Sequence, residues 1–260
     1  MTDITAPGLR SHLRAGGAAE LFWFAIGSPA MVEISLEARP QAVVIDAQHG
    51  LWSRQSLEQT LGVLDGRAPA LVRTADLSET AISAALDGGA VGVLGPLVET
   101  ADQAQAFVDA SRYPPEGRRS GGGIRPLKAD FAKYYADARD QTVVGVMIET
   151  AAGLANVEAI AATPGLDFIF IGTGDLALSM GEFPVPSPAY EAAIQHILKV
   201  CRAAALPCGL FTGGTEDARR RQAEGFALTV SANDISLVAQ GFAAAAPQPA
   251  EAPTADQPAA

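Results

Sequence analysis

Cysteine is almost missing from this chain: Cys201 and Cys208 are the only two in 260 residues. A disulfide scaffold is thereby excluded, and the pair lacks the companions a zinc site needs, so two reduced, structural thiols are expected. Positive charge is in deficit. The 18 Lys and Arg face 29 Asp and Glu, a formal net charge of -11, which leaves no electrostatic footprint for nucleic acid. No apolar run approaches the roughly 18 residues of a membrane-spanning helix. The opening MTDITAPGLRSHLRAGG has no apolar signal core, so a cytoplasmic protein with no membrane partner is expected. A Gly-rich turn after the first strand is also missing, which argues against a dinucleotide-binding sheet.

What the chain does have is a strand–helix–strand unit from Val143 to Gly181. Val143–Ile148 and Phe168–Ile171 are short, largely β-branched runs of the kind that form buried strands. Leu154, Val157, Ile160 and Ala161 recur between them at helical spacing until Pro164-Gly165 stops the helix. Each strand ends in a turn carrying a carboxylate, Glu149 at the first and Asp175 at the second. A right-handed crossover makes the strands parallel and sets both acids at one sheet edge, as a divalent-metal site would require.

The same rhythm runs along the chain. Strands are predicted at Leu21–Ile26, Ala42–Ile45, Ala70–Val72 and Val91–Leu94, then at the two above, then at Pro207–Phe211 and Phe226–Val230. Helices are predicted at Met31–Leu36, along the stripes Leu57/Leu61/Leu64 and Ile82/Ala85/Leu86, at Ala104–Ala110, at Tyr190–Ala205 and from Asp234 to Ala243. Arg112–Pro126 (RYPPEGRRSGGGIRP) breaks the pattern and reads as a long loop, either solvated or serving as a lid or subunit contact. Eight strands over about 240 residues match an α/β fold of the (β/α)₈ TIM-barrel type, a single domain over residues 19–243. Residues 1–18 form a leading arm or short helix, and the Pro/Ala-rich residues 244–260 a disordered tail.

In such a barrel the strand C-termini form the active face. His49 follows strand two, Arg73 strand three, Glu149 strand five and Asp175 strand six, while Trp23 lies in strand one. Each has an ordinary alternative. Asp175 would serve as a helix N-cap, Glu149 as an acceptor in its own turn, His49 as a turn histidine and Arg73 as a surface partner of Asp76 or Glu79. Asp87, late in a helix, would face solvent, and His12 and His196 have no functional context.

Four segments resemble the HpcH/HpaI aldolase family, metal-dependent pyruvate aldolases on a (β/α)₈ barrel. They are VVIDAQHG at 43–50, RYPPEGRRSGGG at 112–123, VMIETAAGLANV at 146–157 and FIFIGTGDLALSMG at 168–181. The resemblance implies that Glu149 and Asp175 hold a divalent metal, Mg²⁺ or Mn²⁺ with Co²⁺ a further candidate. It makes His49 the catalytic base with Asp87 as its acidic partner, and sets Arg73 on the pyruvate oxygen that becomes the enolate. It implies a substrate-binding turn of Gly172, Thr173, Gly174 and Asp175, with N–H groups of Gly174 and Asp175 toward the carboxylate, and Trp23 walling the pocket. The implied activity is forming or cleaving 4-hydroxy-2-oxo acids from pyruvate, or hydroxypyruvate, and an aldehyde; the implied assembly is a homo-hexamer. A Schiff-base route would need a lysine at a strand end, and Lys128, Lys133 and Lys199 all fall in loop or helix. The chain departs from the family pattern at Gln48, usually Glu and close to the implied metal and base, at Met147, usually Gln, and at Thr173, usually Pro. Alternatives are an acyl-CoA carbon–carbon lyase and a non-catalytic barrel that binds a 2-oxo acid.

Overall fold

The computed structural model describes residues 8–246 except 129 and 186. Strands β1 (Ala19–Phe24), β2 (Ala42–Asp46), β3 (Ala70–Arg73), β4 (Gly92–Gly95), β5 (Val143–Ile148), β6 (Phe168–Ile171), β7 (Cys208–Leu210) and β8 (Leu228–Asn233) pair in chain order. All pairs are parallel, and β8 closes on β1. The helices are α1 (Leu9–Arg14), α2 (Pro29–Ser35), α3 (Arg54–Leu64), α4 (Glu79–Asp87), α5 (Ala101–Ser111), α6 (Ile124–Leu127) and α7 (Phe131–Gln141). They continue with α8 (Ala151–Ala155), α9 (Val157–Ala161), α10 (Thr173–Ser179), α11 (Pro188–Ala203), α12 (Thr215–Ala223) and α13 (Asp234–Ala245). This is the (β/α)₈ barrel.

A period of two lies hidden in the continuously apolar strands, because both faces are buried. Leu21, Val44, Leu71, Leu94, Met147, Phe168, Phe170 and Val230 fill the barrel interior. Their neighbours Val43, Ile45, Val72, Val146, Ile148, Ile169 and Ile171 face the helices. Large and small residues alternate inside: a Cβ on Gly145 would overlap the Phe168 ring, so a glycine is needed there. Helix α1 adds Leu9 and Leu13 to the interior group and stoppers the end where the strands begin. Cys201 and Cys208 are free and buried.

Several boundaries shift for identifiable reasons. The first strand stops at Phe24 because the N–H groups of Ala25 and Ile26 donate to the Asp234 carboxylate at 3.0 and 2.8 Å instead of to a neighbouring strand. The helix after β5 breaks at Asn156, whose side chain donates to Glu99 O at 2.8 Å. Helices α7 and α12 were not predicted: α7 buries no residue, and α12 only Ala218 and Arg221, so neither carries an apolar stripe. The loop expected over Arg112–Pro126 is solvated only in part: Pro114, Pro115, Glu116, Arg118, Ser120 and Gly121 are exposed, whereas three of its residues anchor it to the barrel. Arg112, Tyr113 and Arg119 are buried, and Arg112 joins Arg10 on the Asp167 carboxylate at 2.8 and 2.7 Å. The expected tail lies outside the described residues from 247 onward. Among the described residues, no helix is long and apolar enough to cross a membrane.

Candidate active site

The interior parity that packs the barrel also assembles the site. Two residues above Leu21, Val44, Leu71 and Met147 come Trp23, Asp46, Arg73 and Glu149, the inward layer at the C-terminal ends of their strands.

Asp46 is the hub of this layer, and the sequence reading passed over it. Strands β2 and β3 pair with Asp46 directly opposite Arg73. Arg73 donates from Nε at 2.9 Å and from Nη2 at 2.5 Å, a buried two-pronged ion pair. Trp23 Nε1 adds a bond at 3.3 Å, and the backbone N–H groups of Gln48 and His49 donate at 3.1 and 3.2 Å. Burial alone would push the Asp46 carboxyl up; the bonds and charge of Arg73, with those of His49 and Trp23, outweigh it and leave the group below the ordinary carboxylate range. The available signal was a strand-terminal acid after four apolar residues, the pattern that singled out Glu149. Arg73 pairs with this acid, not with Asp76 or Glu79.

Trp23 is the floor of the site more than its wall. Its buried ring stacks on Phe170 at 5.7 Å, meets Phe211 edge-on at 5.3 Å and lies under the Arg73 guanidinium at 5.1 Å. With Nε and Nη2 spent on Asp46, Arg73 has Nη1 left, and among the described residues that nitrogen makes no hydrogen bond.

Glu149 is fully buried, and its single hydrogen bond among the described residues comes from Leu97 N–H to Oε1 at 2.7 Å. Oε2 has no partner. Burial pushes the Glu149 carboxyl above its ordinary range; Leu97 N–H and Arg73 pull it down, while Asp175 and Asp46 push it further up. A buried carboxylate with an orphan oxygen, in the field of two more acids, is the environment a cation would relieve. Asp175 is the third residue of α10, not its N-cap, a position Gly172 holds. Gly172 lies against Glu149, and a Cβ there would overlap Oε2. Thr173 opens α10; its hydroxyl donates to Phe211 O at 3.1 Å and its carbonyl accepts from Tyr190 OH at 2.7 Å. Gly174 is exposed on the same turn. Among the described residues no group of three or more His, Cys, Asp or Glu is placed to hold a metal, so a cation here would rest on Glu149 and Asp175 together with non-protein ligands.

His49 sits exposed in the loop after β2, anchored by its own N–H on Asp46. Gln48 beside it has a buried side-chain oxygen without a hydrogen-bond partner among the described residues. Asp87 is not brought to His49 within the chain. It closes α4, and a barrel helix runs back against its strand, so that end stands at the opposite rim. There it pairs with Arg119 Nη2 at 2.8 Å. The expected His49–Asp87 pair is therefore corrected for the single chain. Two cavities of about 720 and 710 Å³ are lined by none of these site residues.

A family model described as HpcH/HpaI aldolase/citrate lyase matches residues 20–240. A 4-hydroxy-2-oxovalerate aldolase of Rhodococcus jostii is 36% identical over 229 residues, 86% of this chain and 89% of its own length. A hydroxypyruvate/pyruvate aldolase of Cupriavidus necator is 33% identical over 250 residues, 92% of each chain. The crystal structure of an HpcH/HpaI aldolase/citrate lyase family protein from Burkholderia cenocepacia superposes with a TM-score of 0.86 at 29% identity, covering 91% of this chain and 96% of that one. The chain belongs to the HpcH/HpaI aldolase/citrate lyase family, whose chemistry is the making and breaking of carbon–carbon bonds.

Proposed function

We propose that the protein is a divalent-metal-dependent aldolase that forms or cleaves 4-hydroxy-2-oxo acids, with pyruvate or hydroxypyruvate as donor and an aldehyde as acceptor. The observation that carries this reading is Glu149 Oε2, a buried carboxylate oxygen without a hydrogen-bond partner among the described residues, on a carboxyl that feels the charges of both Asp175 and Arg73. The two aldolase relatives, named for substrates of this class, support it.

Glu149 and Asp175 would hold the cation, Mg²⁺, Mn²⁺ or Co²⁺, an oxygen donor set suited to hard ions. When bound, it supplies a Lewis acid to the keto oxygen of the donor, where enolate charge develops. Arg73 adds fixed positive charge at the same oxygen through Nη1, and Asp46 holds it there without reorganisation. The Gly172–Asp175 turn would orient the donor carboxylate, with the N–H groups of Gly174 and Asp175 toward it. Trp23 closes the floor and excludes water. His49, on the exposed rim, would carry the methyl proton away and return it in the reverse direction. The acceptor aldehyde approaches from the open side of the same rim. Assembly into a homo-oligomer, a hexamer, belongs to this reading and is supported by Ile235, Leu237 and Phe242, exposed on α13; light scattering after size exclusion would measure it.

Cleavage of a racemic 4-hydroxy-2-oxo acid, with released pyruvate followed by lactate dehydrogenase, tests the proposal. Turnover that requires Mg²⁺ or Mn²⁺ and stops with EDTA is expected. Turnover indifferent to EDTA, or cleavage of a CoA ester in its place, would contradict it.

A further inference from the structure

Leu97 is one of three non-glycine residues with positive φ among the described residues, at 53°. A leucine in the left-handed region costs free energy that glycine or asparagine would avoid. Burial does not explain the choice, since the residue is 47% exposed. The residues around it are fixed instead. Pro96 and Val98 are buried, and Val98 N–H donates to Met147 O at 3.3 Å, which ties the turn after β4 to the end of β5. Only the Leu97 backbone has a partner in the site: its N–H donates to Glu149 Oε1 at 2.7 Å, the one hydrogen bond that carboxylate accepts among the described residues.

A carboxylate on a flexible side chain, with one oxygen clamped and the other bare, is restricted in the direction it presents. We infer that Leu97 is a positioning residue: its left-handed backbone aims Glu149 by holding Oε1, so that Oε2 faces the metal position. This rests on the two-carboxylate site proposed above. The inference assigns the role to the N–H and the sign of φ, not to the leucine side chain. Alanine adopts the same conformation at similar cost, and glycine at less, whereas β-branched valine strongly resists it.

The test is Mn²⁺ binding, read by electron paramagnetic resonance on the whole chain, with thermal melts to confirm folding. Leu97→Ala and Leu97→Gly should bind within about threefold of the wild type, and Leu97→Val about tenfold more weakly, the loss expected when a charge-assisted bond turns away. Equal affinity in Leu97→Val, or a tenfold loss in Leu97→Ala, would overturn the inference; the alanine variant keeps it falsifiable should the valine variant not fold. Glu149→Ala separates the two claims. Wild-type binding that depends on Glu149 while the Leu97 variants are indifferent removes Leu97 alone. Binding indifferent to Glu149, or no wild-type binding, overturns both.

Discussion

Replacing Asp46 by Asn changes one atom of the hub and leaves its shape. Oδ1 can still accept from Arg73 Nε and the N–H groups of Gln48 and His49, but an amide nitrogen in place of Oδ2 confronts Arg73 Nη2 and Trp23 Nε1, both donors. The ion pair is buried, with side-chain exposures of 9% for Arg73 and 4% for Asp46. Removing one partner of such a pair typically costs about 3–5 kcal/mol, because a charge is left uncompensated. For a domain of this size even the lower figure corresponds to a fall in melting temperature of about 6–12 °C. The pH dependence has a definite sign. A carboxyl held below its ordinary range in the folded chain stabilises it fully above the unfolded value of about 4, and the contribution is lost as pH falls through the lower folded value. The difference in melting temperature between wild type and Asp46→Asn should therefore be largest at pH 7 and should shrink below about pH 4. Catalysis should fall by about a hundredfold or more as Arg73 loses its alignment. Calorimetric melts across pH, with the pyruvate-release assay alongside, measure both. Melting within 2 °C of wild type at pH 7, with activity retained, would refute the hub.

Arg73→Ala should remove activity by orders of magnitude and also destabilise the chain, since it strands Asp46; Arg73→Lys, which keeps the charge but loses the fork, should melt closer to wild type than Arg73→Ala and remain poorly active. Glu149→Gln should stabilise the metal-free protein at pH 7, because a carboxyl raised by burial costs stability once it is ionised above its unfolded value near 4.3. The same variant should lose any thermal stabilisation by Mn²⁺; an unchanged metal response would remove Glu149 from the ligand set. Gly172→Ala, at a φ of -79° open to any residue, should weaken Mn²⁺ binding about tenfold, because its Cβ would overlap both Oε2 and Cβ of Glu149 and displace the carboxylate, which a titration alongside a thermal melt would detect.

The strands were legible because their apolar runs are sharply bounded: β5 and β6 fall where the sequence placed them, each closed by a polar turn. Glu149 and Asp175 stand out in the sequence for the same reason. Asp46 was hidden beside His49, the more conspicuous residue, although it ends its strand just as Glu149 follows its own. The partner of Arg73 was sought among its sequence neighbours, whereas register between adjacent strands supplies it from 27 positions away. Asp87 is a different case. A family pattern linked it to His49, but the direction of α4 in a barrel sends it to the other rim of the same chain. The role of Leu97 had no sequence signal, since a left-handed leucine is visible only in the backbone.

Exchange of the pyruvate methyl protons in D₂O, followed by NMR, tests enolate formation without an aldehyde. Exchange is expected with Mg²⁺ or Mn²⁺, to stop with EDTA and to be missing in Glu149→Ala. No exchange with Mg²⁺, Mn²⁺ or Co²⁺, on either pyruvate or hydroxypyruvate, would contradict it.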